Sequence, residues 1–130
     1  MKKIYLLLIL LISATSVVSA KRAIERTYLS TDKNAYVAGE TMWISAFCLD
    51  ISEGEKILSD LSSVLYIEMH SSAGVVLTTK IALAGGRGSV RIIIPAATPT
   101  GNYKLVSYTK QMLNEKHPPL SEKTVSVLIL

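Results

Sequence analysis

The sequence predicts an all-β fold, a sandwich of seven antiparallel strands behind a cleaved secretion signal, and three observations carry that prediction. Seven short runs of alternating or β-branched residues recur between turn signals. Residues 35–50, AYVAGETMWISAFCLD, launch a long alternating strand from a Tyr-x-x-Gly-Glu-Thr turn. No stretch of the mature chain carries a convincing helical hydrophobic period.

The signal comes first. Lys2 and Lys3 make a positive start, Ile4 to Ile12 an apolar core, and Ser13 to Ala20 a small and polar end, with Val18-Ser19-Ala20 fitting the small-residue cleavage rule. The apolar stretch is too short to cross a hydrocarbon layer of about 30 Å, so it reads as an export signal and not a transmembrane anchor. No cysteine follows it, which leaves a lipid anchor without an attachment point. Cleavage is expected after Ala20, leaving residues 21–130 as one domain.

The whole chain has fourteen Lys and Arg against ten Asp and Glu. Losing residues 1–20 removes two of the basic residues and none of the acidic ones, for a mature charge of +2. The remaining cations are scattered along the sequence (Lys33, Lys56, Lys80, Arg87, Arg91, Lys104) without aromatic-basic interleaving, which argues against a nucleic-acid partner. A lone cysteine, Cys48, cannot close an internal disulfide although export leads to an oxidising compartment. Packing alone has to stabilise the domain.

The strands are read at Arg26–Ser30, Thr41–Asp50, Ser63–His70, Val75–Leu83, Gly88–Pro95, Tyr103–Thr109 and Thr124–Leu130. Period-two geometry puts Met42, Ile44, Ala46 and Cys48 on one face of the second run and Trp43, Ser45, Phe47 and Leu49 on the other, and the first set is assigned to the core. The third run separates Leu65, Ile67 and Met69 from Tyr66, Glu68 and His70. In the fifth, Val90, Ile92 and Ile94 alternate with Ser89, Arg91 and Ile93 until Pro95 stops the ladder. Ser71-Ser72-Ala73-Gly74 and Ala84-Gly85-Gly86-Arg87-Gly88 are both expected to close hairpins. Glu53 to Leu61 reads as a loop crossing between sheets, while 95–101 and His117-Pro118-Pro119 are loops in which proline removes ladder donors.

Four segments, TYLSTDKNAYVAGETMWISAFCLD (27–50), VLYIEMHSSAGVV (64–76), IPAATPTGNYKLVSYTKQMLN (94–114) and EKTVSVL (122–128), together resemble the macroglobulin-type module called MG2. The likeness is to the N-terminal MG2-like domains of large exported proteins of Bacteroidetes-type bacteria. Its marks are the turn from Asp32 through Tyr36 to Gly39, Glu40-Thr41 ahead of the strand, and Pro95 followed by Gly101-Asn102-Tyr103. The resemblance implies an immunoglobulin- or fibronectin III-like sandwich, one bead in a string. The reactive thioester of the wider α2-macroglobulin group lies in a separate domain, and this chain has no Cys-Gly-Glu-Gln, so protease trapping does not carry over to it. Read from their own chemistry, these residues are structural. Gly39 permits the turn, Asp32 accepts from neighbouring backbone donors, and Gly101 with Tyr103 forms a sandwich corner in which the tyrosine hydroxyl pins a connection.

No catalytic residue, cofactor or metal ligand is expected. Cys48 sits inside an alternating strand without a nearby histidine and reads as a buried thiol. His70 and His117 lack metal-ligand spacing, and Glu53, Glu55 and Asp60 read as solvated loop charges in preference to a calcium site. Gly85-Gly86-Arg87-Gly88 lacks the Gly-Lys-Ser/Thr ending of a phosphate loop, and no Gly-x-Ser-x-Gly elbow is present. Two features point to interaction. Trp43, Phe47 and Leu49 share the outward face of the second strand, where a loop, a packed layer or a neighbouring domain would have to cover them. The chain also ends on the apolar run Val125–Leu130, read as an exposed edge or as a passage into further domains. The expected function is that of a non-catalytic exported module, a structural or protein-binding element in the periplasm or at the cell surface and the leading part of a larger protein. The alternative is a small pilus- or adhesin-like subunit that assembles by strand addition.

Overall fold

The computed structural model describes residues 23–130, so the export signal read from residues 1–20 lies outside the described residues. Nine strands appear in them: β1 Glu25–Thr31, β2 Ala35–Val37, β3 Thr41–Asp50, β4 Ile57–Leu58, β5 Val64–Ser71, β6 Gly74–Ala82, β7 Arg87–Ile93, β8 Gly101–Tyr108 and β9 Ser121–Leu128. A single 3₁₀ turn, Met112–Asn114, precedes β9. The count exceeds the expected seven because β2 and β4, at three and two residues, are too short to show any alternation.

The strands form two sheets. In the four-stranded one, β1 lines one edge of β3, while β7 and β4 share its other edge in succession. The five-stranded one runs β2-β9-β8-β5-β6. All pairings are antiparallel except β2 with β9, a parallel pair that the expected all-antiparallel sandwich did not include. It arises because the chain leaves β1, crosses to the other sheet and lies along β9 from Ala35 to Val37. Consequently β9 is flanked on both sides at Ser126 and Val127, where β2 occupies the edge that the sequence left open.

Between the sheets lies one apolar cluster. Met42, Ile44, Ala46 and Cys48 of β3 face Leu65, Ile67 and Met69 of β5, together with Ile81, Ile92, Ile94, Tyr103, Leu105, Val125 and Val127. Burying a side chain of this size contributes about 1.5–3 kcal/mol, so the two alternating strands anchor the fold.

Two connections decide how the sheets meet. Ser71 to Gly74 closes the β5–β6 hairpin. Ala84 to Gly88 does not close one, although Ala84 and Arg87 exchange both backbone hydrogen bonds, at 2.8 and 3.2 Å, around Gly85 and Gly86 with φ of 58° and 78°. The turn is the glycine type that suits hairpins, yet β6 and β7 belong to different sheets and the link is a crossing. Close packing holds it there: a Cβ at Gly88 would stand 2.4 Å from both the Ala82 carbonyl oxygen and Ile81 Cγ2.

The corner at β8 has the geometry in which a tyrosine fastens a loop. The Tyr103 hydroxyl donates to the Pro99 carbonyl at 2.5 Å. Tyr103→Phe is expected to lower stability by about 0.5–1.5 kcal/mol, the net contribution of one such bond. Urea unfolding checks this through a lower midpoint at unchanged slope.

Candidate functional site

The outer face of the four-stranded sheet gathers residues that are far apart in sequence. Pairing sets Trp43 opposite Arg91, Ser45 between Ser30 and Ser89, Phe47 between Tyr28 and Arg87, and Leu49 between Arg26 and Leu58, with Ile93 beyond Trp43 and opposite Thr41. Residues directly opposite on one face are in side-chain contact range. Trp43 is 53% exposed and Ile93 70%, Tyr28 is also exposed, and Phe47 and Leu49 are half-buried.

Cations stand over the aromatic rings. The Arg91 guanidinium lies 5.7 Å from the Trp43 ring centre, and Lys56 Nζ lies 5.7 Å from that of Tyr28. None of the side chains in these rows is a carboxylate. Arg26 alone is neutralised, by a two-pronged hydrogen bond to Glu115 at 2.9 and 3.2 Å from outside the face. The sequence reading did not join Arg87, Arg91, Tyr28 and Ile93 to the Trp43 face, because the registers that set β7 and β1 against β3 leave no local signal.

The turn residues singled out from the sequence come together at the rim of this face. The Tyr36 hydroxyl donates to Asp32 Oδ1 at 2.6 Å, and the Trp43 backbone N–H donates to the same oxygen at 3.1 Å. The Tyr36 hydrogen bond, outweighing partial burial, holds the Asp32 carboxyl below its usual range. Burial and then Asp32 push the Tyr36 hydroxyl up. Gly39, at φ 95°, donates its N–H to Ile94 O at 2.9 Å, while Glu40 accepts from the Val37 N–H at 2.9 Å and pairs with Lys33. This turn carries the chain from β2 in one sheet to β3 in the other. Pro95 follows β7 and accepts from the Thr98 N–H, and Gly101 opens β8 ahead of Tyr103.

Chemistry-bearing groups elsewhere are engaged structurally. Glu25, 1% exposed, accepts from Ser59 Oγ at 2.6 Å, Thr109 Oγ1 at 2.9 Å, Cys48 Sγ at 3.2 Å and Ser62 Oγ. Burial raises its pKa, but the four hydrogen bonds together outweigh burial and hold it below the usual glutamate value. Burial first, and then the neighbouring Glu25, push the Cys48 thiol up to about 12, which keeps it protonated and unreactive. On the five-stranded sheet, Tyr108 donates to Glu68 at 2.6 Å and stacks on Tyr66, with His70 on the other Glu68 oxygen. That bond, ahead of burial, pushes the Tyr108 hydroxyl up to about 12. Among the described residues, no group of three or more His, Cys, Asp and Glu side chains is placed to hold a metal, and no helix is long and apolar enough to cross a membrane.

Comparison with solved structures places this arrangement. Superposition on an α2-macroglobulin from Salmonella gives a TM-score of 0.62 at 17% identity over 86% of this chain. The chain has a macroglobulin-like fold. It spans only 7% of the length of that protein. The CARDB domain of a Pyrococcus furiosus protein superimposes with a TM-score of 0.52 at 8% identity, covering 87% of this chain and 99% of that one. No family model and no curated protein matches the chain.

Proposed function

We propose that the chain is a non-catalytic, exported module of the MG2 type, with an immunoglobulin- or fibronectin III-like sandwich in residues 21–130 after a signal cleaved at Ala20. It serves as a structural or protein-binding element of the cell envelope within a larger protein, in the manner of Bacteroidetes-type exported proteins. The observation that carries this reading is the outer face of the four-stranded sheet, where Trp43, Phe47, Leu49, Tyr28 and Ile93 form an apolar and aromatic field that no strand or helix among the described residues covers. Clusters of this kind mark protein contact sites. The likeness to a small part of a much longer macroglobulin supports the place within a larger protein. Strand addition at the end of the terminal strand is disfavoured, since β2 already lies along Ser126–Leu128.

The test is an immunoblot of fractionated producing cells with an antibody raised against the folded module. The reading expects the antigen in the envelope fraction, on a polypeptide well above the 14.1 kDa of this chain. A cytoplasmic species would contradict export, and one at the chain's own mass would contradict the place in a larger protein.

A further inference from the structure

We propose that the outer face of the four-stranded sheet docks an acidic protein surface, one whose carboxylates meet Arg87 and Arg91 while its apolar side chains meet Trp43, Phe47 and Ile93. The proposal rests on the reading of this face as protein-binding and adds the chemistry of the partner. Charge segregation is the first support. The described residues hold ten basic and ten acidic side chains, yet the paired strand rows of the face contain three arginines and no carboxylate, and the one acid that continues the Trp43 row, Asp32, is held by the Trp43 N–H and the Tyr36 hydroxyl. The acids nearest its rim are committed elsewhere, Asp32 to Tyr36 and Trp43 N–H, Glu40 to Lys33 and Val37 N–H, and Glu115 to Arg26.

The geometry of Arg91 supplies the second. Its guanidinium carbon lies 5.7 Å from the Trp43 ring centre, within cation–π range, and the planar fork of N–H donors serves a carboxylate two at a time. Arg87 occupies the matching place opposite Phe47, four residues along the ladder. Aromatic side chains and arginine in one patch are the composition of energetic centres in protein interfaces.

Other occupants fit less well. A nucleic acid or other polyanion is drawn by a strongly positive domain, whereas the described residues are charge-balanced. A second copy packed face to face would bring the same patch, whose paired rows offer no carboxylate to meet the arginines.

Trp43 is the only tryptophan in the chain and reports directly from the face. The experiment titrates the mature chain with a random copolymer of glutamate and tyrosine and follows tryptophan emission under selective excitation. A saturable change in Trp43 emission is expected, weakened by salt, and about tenfold weaker for Arg87→Glu/Arg91→Glu, as the loss of two exposed charge pairs implies. The neutral Arg87→Gln/Arg91→Gln should fall between the two. Both positions are exposed, and circular dichroism shows whether the variants keep their strands. No saturable change, or a change undiminished in the double variants, overturns the proposal. So does an equal response to oligo-dT or heparin, which makes the face a polyanion site, or a shift with protein concentration alone, which makes the occupant a second copy. A photo-crosslinker at Trp43 separates this proposal from the reading beneath it. Capture of a protein that Arg87→Glu/Arg91→Glu leaves unchanged removes the acidic partner and keeps the protein-binding face, whereas no capture removes both.

Discussion

Glu25→Ala is expected to lower the unfolding free energy by about 2–4 kcal/mol, since it strands several buried donors at once and leaves a small void. The carboxylate ties β1 to β3 through Cys48, to the loop before β5 through Ser59 and Ser62, and to the end of β8 through Thr109. Removing it therefore loosens three connections at one end of the sandwich. Glu25→Gln keeps the shape and one acceptor and is expected to cost less. The sign of the pH effect follows from the depressed pKa: the stabilisation by Glu25 is fully present above the ordinary glutamate pKa and is lost as pH falls through the lower folded value. Wild-type protein should thus lose stability in the acid range, and Glu25→Gln should show a shallower loss. Asp32, Glu40, Asp50 and Glu68 are also held below their ordinary values, so part of the acid sensitivity stays in the variant. Denaturant melts at a series of pH values measure this, and identical pH slopes for the two proteins would contradict it. The Cys48 thiol offers a second readout, since its labelling by a disulfide reagent should follow opening of this end of the domain.

Gly86→Ala is expected to cost about 2–4 kcal/mol, combining left-handed backbone strain with an overpacked contact. At φ 78° an L side chain is disfavoured, and its Cβ would lie 2.7 Å from the Cys48 carbonyl oxygen and 3.0 Å from both the N and O of Ser59. These are backbone atoms, fixed by the Cys48 N–H bond to Gly86 O at 2.7 Å and the Ser59 N–H bond to Cys48 O at 2.9 Å, so they cannot turn aside. Gly85→Ala is the internal comparison. It shares a positive φ of 58° but has nothing within 4 Å of its Cβ, so it should lose only the strain. Thermal melts of the two variants that coincide would show that the contact contributes nothing.

Much of the architecture was legible because β3 and β5 alternate cleanly over ten and eight residues, and burial follows that alternation from Met42 to Cys48 and from Leu65 to Met69. The parity of Trp43, Phe47 and Leu49 was legible for the same reason. What failed was long-range. Gly85-Gly86 has the same local chemistry whether its flanking strands pair or part, so the crossing between sheets looked like a hairpin. The parallel β2 depends on where the Asp32–Tyr36 turn delivers three residues, which no period encodes. Arg91 opposite Trp43 and Arg87 opposite Phe47 are consequences of register between strands forty or more residues apart. Glu25 was missed because a charged residue at an inward position breaks the apolar-in pattern, and its reason appears only when Ser59, Ser62 and Thr109 arrive from other parts of the chain.

The central claim is that this module acts through protein contact on the outer face of the four-stranded sheet. The most direct measurement places a photo-crosslinking residue at Trp43 in the producing cell, with a control at Thr78 on the opposite sheet. The account predicts a protein or neighbouring-domain adduct from position 43 and none from position 78. Equal capture from both positions, or none from Trp43, would contradict it.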